Sequence, residues 1–292
     1  MEAQPPVIVS DDQGYADAGF QGARDIPTPH PDRLAKSGAR FASGYATHAL
    51  CSPPRAVLLT GRYRQRFGHE RNPFYDPSDH REGLPTEETL LPARLKAAGY
   101  ATGWIGKRHP GAAPEFSPQN RSLTETYGFI GGGHRFRERK ANAAVEYQVP
   151  INRNGVVVEP PAHPTGGFGA EAAAFVKRHA GEPWFLYLAF NATRSPNEPT
   201  AGRLARFSPI KDPVRQNYAA QVSLTDDAIG ATPAALRENG QEQRTPVFFF
   251  SDDGGRYEEE GKEDEGPDGE TRVAPRATLT LGRLPCPAPS TK

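Results

Sequence analysis

The sequence predicts an α/β fold with a mostly parallel central β-sheet sandwiched between helices. Short apolar segments alternate along the chain with segments of helical periodicity, which is the order that produces parallel sheets covered on both faces. The chain of 292 residues also contains 30 glycines and 30 prolines. This composition indicates many loops, as in a large α/β enzyme whose functional side chains lie on loops.

Four apolar segments are predicted as strands, at residues 6–10, 100–105, 184–190 and 245–250. The segment at 184–190 is apolar throughout and suits the middle of a covered sheet. Residues 145–158 are predicted to form a β-hairpin that turns at Asn154 and Gly155, because an Asn-Gly pair between apolar residues favours a tight turn.

Helices are predicted at residues 29–38, 86–99, 168–179 and 213–240. Thr86 is the expected N-cap of the second helix, and Pro92 is tolerated there only if it falls in the first turns. Pro233 interrupts the last helix and is expected to kink or divide it.

Composition argues against several classes of protein. The 35 basic and 35 acidic side chains balance, which does not suit a general nucleic-acid or membrane-surface binder. No apolar run approaches the length of a membrane span, and no signal peptide is visible. The two cysteines, Cys51 and Cys286, do not support a disulfide framework.

Asp11 and Asp12 directly follow the first predicted strand. Side chains at the carboxyl ends of parallel strands meet at one edge of a sheet. Two adjacent carboxylates repel each other, and hard cations prefer such oxygen ligands. The pair therefore indicates a cation site, with a solvated Asp-rich turn as the alternative.

Residues 51–62 read Cys-Ser-Pro-Pro-Arg-Ala-Val-Leu-Leu-Thr-Gly-Arg. Prolines suit the first turn of a helix, and Gly61 can end it. Cys51 then lies at or just before a helix N-terminus, where N–H groups and the helix dipole favour an anion, and Arg55 adds a positive charge. The segment predicts a nucleophile over an anion-binding site, with a buried structural cysteine as the alternative.

This Cys-x-Pro-x-Arg pattern, followed by Leu-Thr-Gly-Arg, resembles the signature of the sulfatase family, which has an alkaline phosphatase-like fold. In that family a dedicated enzyme oxidises the cysteine to formylglycine, whose hydrated aldehyde is the nucleophile. Three further segments stand in the family's order: Asp11-Asp12-x-Gly-Tyr, Lys107-x-His109 and Ser-Asp252-Asp253-Gly-Gly. The resemblance extends over about residues 5 to 275.

The resemblance implies a bound divalent cation, Ca²⁺ with Mg²⁺ or Mn²⁺ as alternatives, and the metal ligands Asp11, Asp12, Cys51, Asp252 and Asp253. The residues that it implies for sulfate binding are Arg55, Lys107 and Lys262, and Arg194 is a further expected sulfate-binding residue because arginine binds such anions. The residues that it implies for catalysis are Cys51, Arg55, Lys107, His109 and Lys262. His109 would take a proton from the hydrated nucleophile.

Three residues depart from the family's pattern. Arg108 stands where a tryptophan is usual, and Asp253 replaces an asparagine. Arg194 stands where the family places a histidine that helps to protonate the leaving alcohol. Arginine is always charged, so it can bind sulfate but cannot act as a general acid.

We therefore expect a sulfatase-like catalytic domain over residues 1–275 and a Pro-rich tail over 276–292, with the family's smaller C-terminal subdomain truncated. The expected substrate is a sulfated carbohydrate or an aryl sulfate, and the expected partner is a formylglycine-generating enzyme; neither nucleic acid nor a membrane span is expected. The alternatives are a phosphodiesterase or phosphonate hydrolase of the same superfamily, and a truncated non-catalytic homologue that binds metal or anion. A mature form would be periplasmic or secreted.

Overall fold

A computed structural model describes residues 4–136 and 145–255, together with the backbone of residues 279–282. Within these ranges one sheet contains nine strands: β1 (Pro6–Ser10), β2 (Ala39–Phe41), β3 (Ala101–Lys107), β4 (Glu125–Phe129), β5 (Asn152–Arg153), β6 (Val156–Val157), β7 (Trp184–Ala189), β8 (Val247–Ser251) and β9 (Leu279–Gly282). The order across the sheet is β2-β9-β8-β1-β7-β3-β4-β5-β6.

The centre of the sheet is parallel, as predicted. Strands β8, β1, β7, β3 and β4 all run in the same direction. Antiparallel strands flank this centre, with β9 and β2 on one side and β5 and β6 on the other. The carboxyl ends of the five central strands therefore lie along a single edge.

Helices cover both faces of the sheet: α1 (Pro29–Ser37), α2 (Ser52–Thr60), α3 (Leu91–Ala97), α4 (Pro164–Arg178), α5 (Ala201–Ala205) and α6 (Pro213–Glu238). One buried cluster joins the sheet to α4 and α6 through Phe168, Phe175 and Ile229. A second cluster on the other face joins Trp104 and Tyr187 to α2. None of the described helices is long and apolar enough to cross a membrane.

The starts of two predicted helices differ from the structure. Helix α4 begins at Pro164, four residues before the predicted start at residue 168. The predicted start at Thr86 is wrong, since α3 begins at Leu91 and Pro92 lies in its first turn. Proline lacks an N–H and clashes with a preceding helical turn, so the helix starts immediately before it. Helix α6 runs through Pro233 without the predicted division, and it packs against α4.

The predicted hairpin forms, but it is shorter than expected. Strands β5 and β6 contain two residues each and are joined by Asn154 and Gly155, with φ values of 50° and 85°. Both turn residues thus adopt the left-handed conformation that a two-residue hairpin turn requires. Residues 145–148, which were expected in the hairpin, form a 3₁₀ turn instead.

Strand β9 extends the sheet beyond residue 275, where the predicted catalytic domain ends. Its backbone pairs with β8 on one side and with β2 on the other. The sheet therefore includes residues that the sequence assigned to a Pro-rich tail. Cys286 and the rest of that segment lie outside the described residues.

Two glycines bring the carboxyl ends of the central strands close together. At Gly106, which has a φ of 98°, a Cβ atom would lie 1.9 Å from the carbonyl oxygen of Ala189. At Gly128 a Cβ atom would lie 2.1 Å from the carbonyl oxygen of Gly106. Only glycine can occupy these positions without moving β3 away from its neighbours.

Arg108 follows β3 and is buried without a carboxylate partner among the described residues. Its Nη1 donates to Asn152 Oδ1 at 3.1 Å, whereas Nε and Nη2 have no hydrogen-bond partner among the described residues. Burial lowers the pKa of Arg108 to about 9. A buried guanidinium without a carboxylate partner destabilises a fold, because its lost hydration is not replaced.

We predict that Arg108→Met raises the free energy of unfolding by about 1–4 kcal/mol, because it replaces a buried charge with an apolar side chain of similar size. Urea denaturation of both proteins measures the difference. Arg121→Met is the matched control, since Arg121 is also buried but donates to three backbone carbonyl groups at 2.8–3.1 Å. The control should lose stability. A similar loss in both variants would contradict the prediction.

Candidate active site

The carboxyl edge of the sheet collects most of the residues that the sequence singled out. Asp11 and Asp252 directly follow β1 and β8, Lys107 is the last residue of β3, and the loop after β7 adds Arg194. Helix α2 begins at the same edge, with Cys51 as its N-cap residue. Lys262, the remaining predicted residue, lies outside the described residues.

Asp11 is bound by two cations from different elements. Lys107 Nζ donates to both carboxylate oxygens, at 2.7 and 2.8 Å, and Arg55 Nη2 donates to Oδ1 at 3.1 Å. All three side chains are buried. Burial alone would raise the pKa of Asp11, but Lys107 and Arg55 hold it well below its usual range. Asp11 is therefore a carboxylate at neutral pH.

Asp252 completes this network. Arg55 Nε donates to its Oδ2 at 2.8 Å, and the backbone N–H groups of Asp12 and Asp253 donate to its Oδ1 at 3.3 and 3.1 Å. Burial raises the pKa of Asp252 to about 7, although Arg55 opposes the shift. Arg55 thus links the ends of β1 and β8 to the first turn of α2.

Cys51 is buried between the carboxyl group of Asp12 and the guanidinium of Arg194. Its Sγ lies 3.6 Å from Asp12 Oδ1 and 3.3 Å from Arg194 Nη1. Burial, followed by the charge of Asp11, raises the pKa of the thiol well above its usual value. Reactive cysteines have lowered pKa values, so the arrangement does not favour an unmodified thiolate as nucleophile.

The oxygen and sulfur atoms of this site suit a divalent cation. One candidate set of ligands is Asp11, Cys51 and Asp252, and a second is Asp12, Cys51 and Asp253; within each set the ligand atoms lie within 4.8 Å of one another. Asp253 Oδ1 is buried and has no hydrogen-bond partner among the described residues. Burial, followed by the charges of Asp252 and Asp12, raises the pKa of Asp253 well above its usual value. A bound cation would supply the missing partner and relieve this repulsion.

Arg194 projects into the site from the loop after β7. Its Nη1 lies 3.3 Å from Asp12 Oδ2 as well as from the Cys51 sulfur. Its side chain is 13 % exposed, more than that of any other cation described at this site. Arg194 therefore places a permanent positive charge beside Cys51, and this charge would stabilise an anion bound there.

His109 is buried close to these cations and has an unusual backbone conformation, with a φ of 46°. A Cβ atom at Gly132 would lie 2.8 Å from the His109 ring, so only glycine leaves space for the ring there. Burial, together with Lys107 and Arg194, lowers the pKa of His109 well below its usual value. The imidazole is therefore neutral and can accept a proton.

The sequence did not reveal several residues that support the site. Asn72 Oδ1 accepts a hydrogen bond from the Ser52 N–H at 2.9 Å, and the Ser52 hydroxyl contacts His69. Both partners lie in the polar loop 63–85, which has no periodic pattern. Thr193 Oγ1 lies 3.4 Å from the carbonyl oxygens of Asp11 and Asp12. No local sequence signal identifies such contacts, because they join segments that are distant along the chain.

Comparison with known proteins agrees with this geometry. A family model described as Sulfatase matches residues 7–274. The chain is 35 % identical over 274 residues to N-acetylgalactosamine-6-sulfatase of Mus musculus, a match that covers 86 % of this chain and 51 % of that protein. It is 32 % identical over 282 residues to Arylsulfatase A of Bos taurus, covering 86 % and 52 %. The chain thus spans about half the length of these curated relatives.

Solved structures of other proteins superimpose on most of this fold. The crystal structure of Ps i-CgsB in complex with k-i-k-neocarrahexaose superimposes with a TM-score of 0.88 and 32 % identity, covering 98 % of this chain and 67 % of that one. The structure of PsFucS1 sulfatase from Pseudoalteromonas sp. superimposes with a TM-score of 0.77. Because the family model covers all but the ends of the sequence, the chain belongs to the sulfatase family of the alkaline phosphatase superfamily.

Proposed function

We propose that this protein hydrolyses sulfate esters, of a sulfated carbohydrate or an aryl alcohol, through a formylglycine that a modifying enzyme makes from Cys51. The observation that carries the proposal is the position of Cys51, buried at the N-terminus of α2 within 3.3 Å of the Arg194 guanidinium. A helix N-terminus and an arginine together favour an anion beside the residue. A curated relative named as an N-acetylgalactosamine-6-sulfatase supports a carbohydrate substrate.

The modified residue would supply a hydrated aldehyde, whose hydroxyl group is the nucleophile. A divalent cation such as Ca²⁺, with Mg²⁺ or Mn²⁺ as alternatives, would be held by Asp11, Asp12, residue 51, Asp252 and Asp253. When bound, this cation polarises the sulfate oxygens and so favours attack on sulfur.

The cationic side chains bind and orient the sulfate group. Arg194 Nη1 lies 3.3 Å from the Cys51 sulfur and can donate to a sulfate oxygen. Lys107 and Arg55 are held in place by Asp11 and supply positive charge as the S–O bond breaks. Lys262 remains a predicted sulfate ligand on the basis of the family resemblance.

His109 is the proposed base. Its neutral imidazole can take the proton of the second hydroxyl of the hydrated residue 51. Burial, followed by the charges of Lys107 and Arg194, lowers the pKa of His109 and keeps the ring neutral, because a further positive charge there is unfavourable. A neutral ring is the form that this role requires.

We predict that co-expression with a formylglycine-generating enzyme converts Cys51 and produces sulfate-ester hydrolysis. Mass spectrometry of the tryptic peptide 41–55 measures the conversion. Cys51→Ala should lower turnover by about 10³-fold or more, because the nucleophile is lost. Cys286→Ala is the matched control and should retain turnover. Conversion without turnover of any aryl sulfate or phosphodiester would instead favour the non-catalytic alternative.

Ca²⁺ is predicted to stabilise the protein. After dialysis against a chelator, Ca²⁺ at 100 times its dissociation constant should raise the free energy of unfolding by about 2.7 kcal/mol. Asp253→Ala should lose most of this gain, whereas Glu238→Gln, at an exposed position on α6, should keep it. Denaturation curves with and without Ca²⁺ test both statements. An equal gain in the two variants would place the cation elsewhere.

The absence of an acid at position 194 predicts a preference for good leaving groups. Without protonation of the leaving oxygen, phenolate esters should react much faster than alkyl esters. Arg194→His should therefore raise the rate on an alkyl sulfate, relative to nitrophenyl sulfate, by about 10-fold or more. Arg194→Gln removes the charge without adding an acid and should leave this ratio unchanged. The ratio of kcat/KM values for the two substrates is the measurement.

A further inference from the structure

A buried histidine outside the predicted site contacts the residue that follows Cys51. His69 lies in the loop between α2 and α3, and its Nε2 is 2.7 Å from the Ser52 hydroxyl oxygen. The same hydroxyl is 2.6 Å from the carbonyl oxygen of His109. On the other side of the ring, His69 Nδ1 is 3.2 Å from the carbonyl oxygen of Gly83. His69 and Ser52 are 5 % and 1 % exposed.

These three contacts need more protons than the neutral groups provide. The two carbonyl oxygens can only accept, so three hydrogen bonds require one proton from Ser52 and two from the His69 ring. Burial lowers the pKa of His69 below its usual value, although the Gly83 carbonyl and Glu82 oppose the shift. The neutral ring carries a single proton. One of the three contacts therefore has no proton between its two heavy atoms.

The distances indicate which contact lacks the proton. The shortest one joins the Ser52 hydroxyl to the His109 carbonyl, and an O–H···O bond is expected at 2.6 Å. The Ser52 oxygen must then accept from a protonated His69 Nε2. His69 Nδ1 is left unprotonated opposite Gly83, which is the longest contact of the three.

This arrangement holds the backbone of His109. A non-glycine residue with a φ of 46° is uncommon and persists only where its surroundings fix it. The bond from Ser52 satisfies the buried His109 carbonyl, and Ser52 is itself fixed by the bond from its N–H to Asn72. His69 Nε2–H donates to the Ser52 oxygen, and the Ser52 hydroxyl proton is thereby directed at the His109 carbonyl oxygen.

We propose that His69, as a neutral Nε2–H imidazole, is a positioning residue that fixes His109 through the Ser52 hydroxyl. Its effect on catalysis rests on the role as a base proposed above for His109. The hydrogen-bonded arrangement itself is independent of that role, so the two can be tested separately.

The first experiment is NMR spectroscopy of the full chain labelled with ¹⁵N-histidine. We expect a His69 signal of the Nε2–H tautomer. Ser52→Ala and His69→Leu should both shift the signals of the His109 ring, and the double variant should add no further shift. His69→Gln keeps a donor near Nε2 and should restore the wild-type signals. An Nδ1–H tautomer, or His109 signals that stay unchanged in His69→Leu, would overturn the proposal.

The second experiment measures sulfate-ester hydrolysis by the modified enzyme. His69→Leu should lower kcat by about 10- to 100-fold, the cost known for residues that orient metal ligands through hydrogen bonds. KM should stay within about twofold, and His69→Gln should recover most of kcat. The matched control is His179→Gln, because His179 also binds two partners but lies before β7, at the opposite edge of the sheet.

The two experiments separate the possible failures. If the wild-type enzyme does not hydrolyse sulfate esters, the proposed function fails, and the NMR experiment still decides whether His69 positions His109. If turnover is normal and His69→Leu leaves kcat unchanged, the positioning role is wrong. An equal loss in His179→Gln would show a general effect on stability and would also contradict the proposal.

Discussion

The double ion pair of Asp11 holds this site together. Lys107 at the end of β3 and Arg55 in α2 both bind the carboxylate that follows β1, and all three are buried. Removing one partner of a buried pair leaves an uncompensated charge, at a cost of about 3–5 kcal/mol. The positions of β1, β3 and α2 are therefore coupled, and the position of Cys51 is coupled with them.

The sequence predicted the parallel sheet and the edge at which the site lies. This was possible because the apolar segments before Asp11 and Asp252 are short and nearly unbroken, which is characteristic of strands covered on both faces. The carboxyl ends of parallel strands share an edge, so residues far apart along the chain could be placed together. The N-cap position of Cys51 likewise follows from the local sequence, since Pro53 and Pro54 fit only the first helical turn.

The contacts that support the site could not be predicted in the same way. His69 and Asn72 lie in a loop, and their contacts with Ser52 depend on the path of that loop in three dimensions. The burial of Arg108 was equally hidden, because a basic residue after a strand is usually solvated. Its only described hydrogen-bond partner, Asn152, is 44 residues away along the chain. Local patterns carry no information on such pairings.

The position of β1 between β7 and β8 has a consequence for the timing of synthesis. Ile8 pairs with Leu188 and Phe249, so the sheet around Asp11 cannot close until β8 has been made. Cys51 cannot reach its buried position in the fold, where it is 2 % exposed, before then. At ordinary rates of translation, the interval between residues 51 and 253 is roughly 10–40 s. The enzyme proposed above to convert Cys51 to formylglycine would have to act within this interval or keep the chain unfolded for longer.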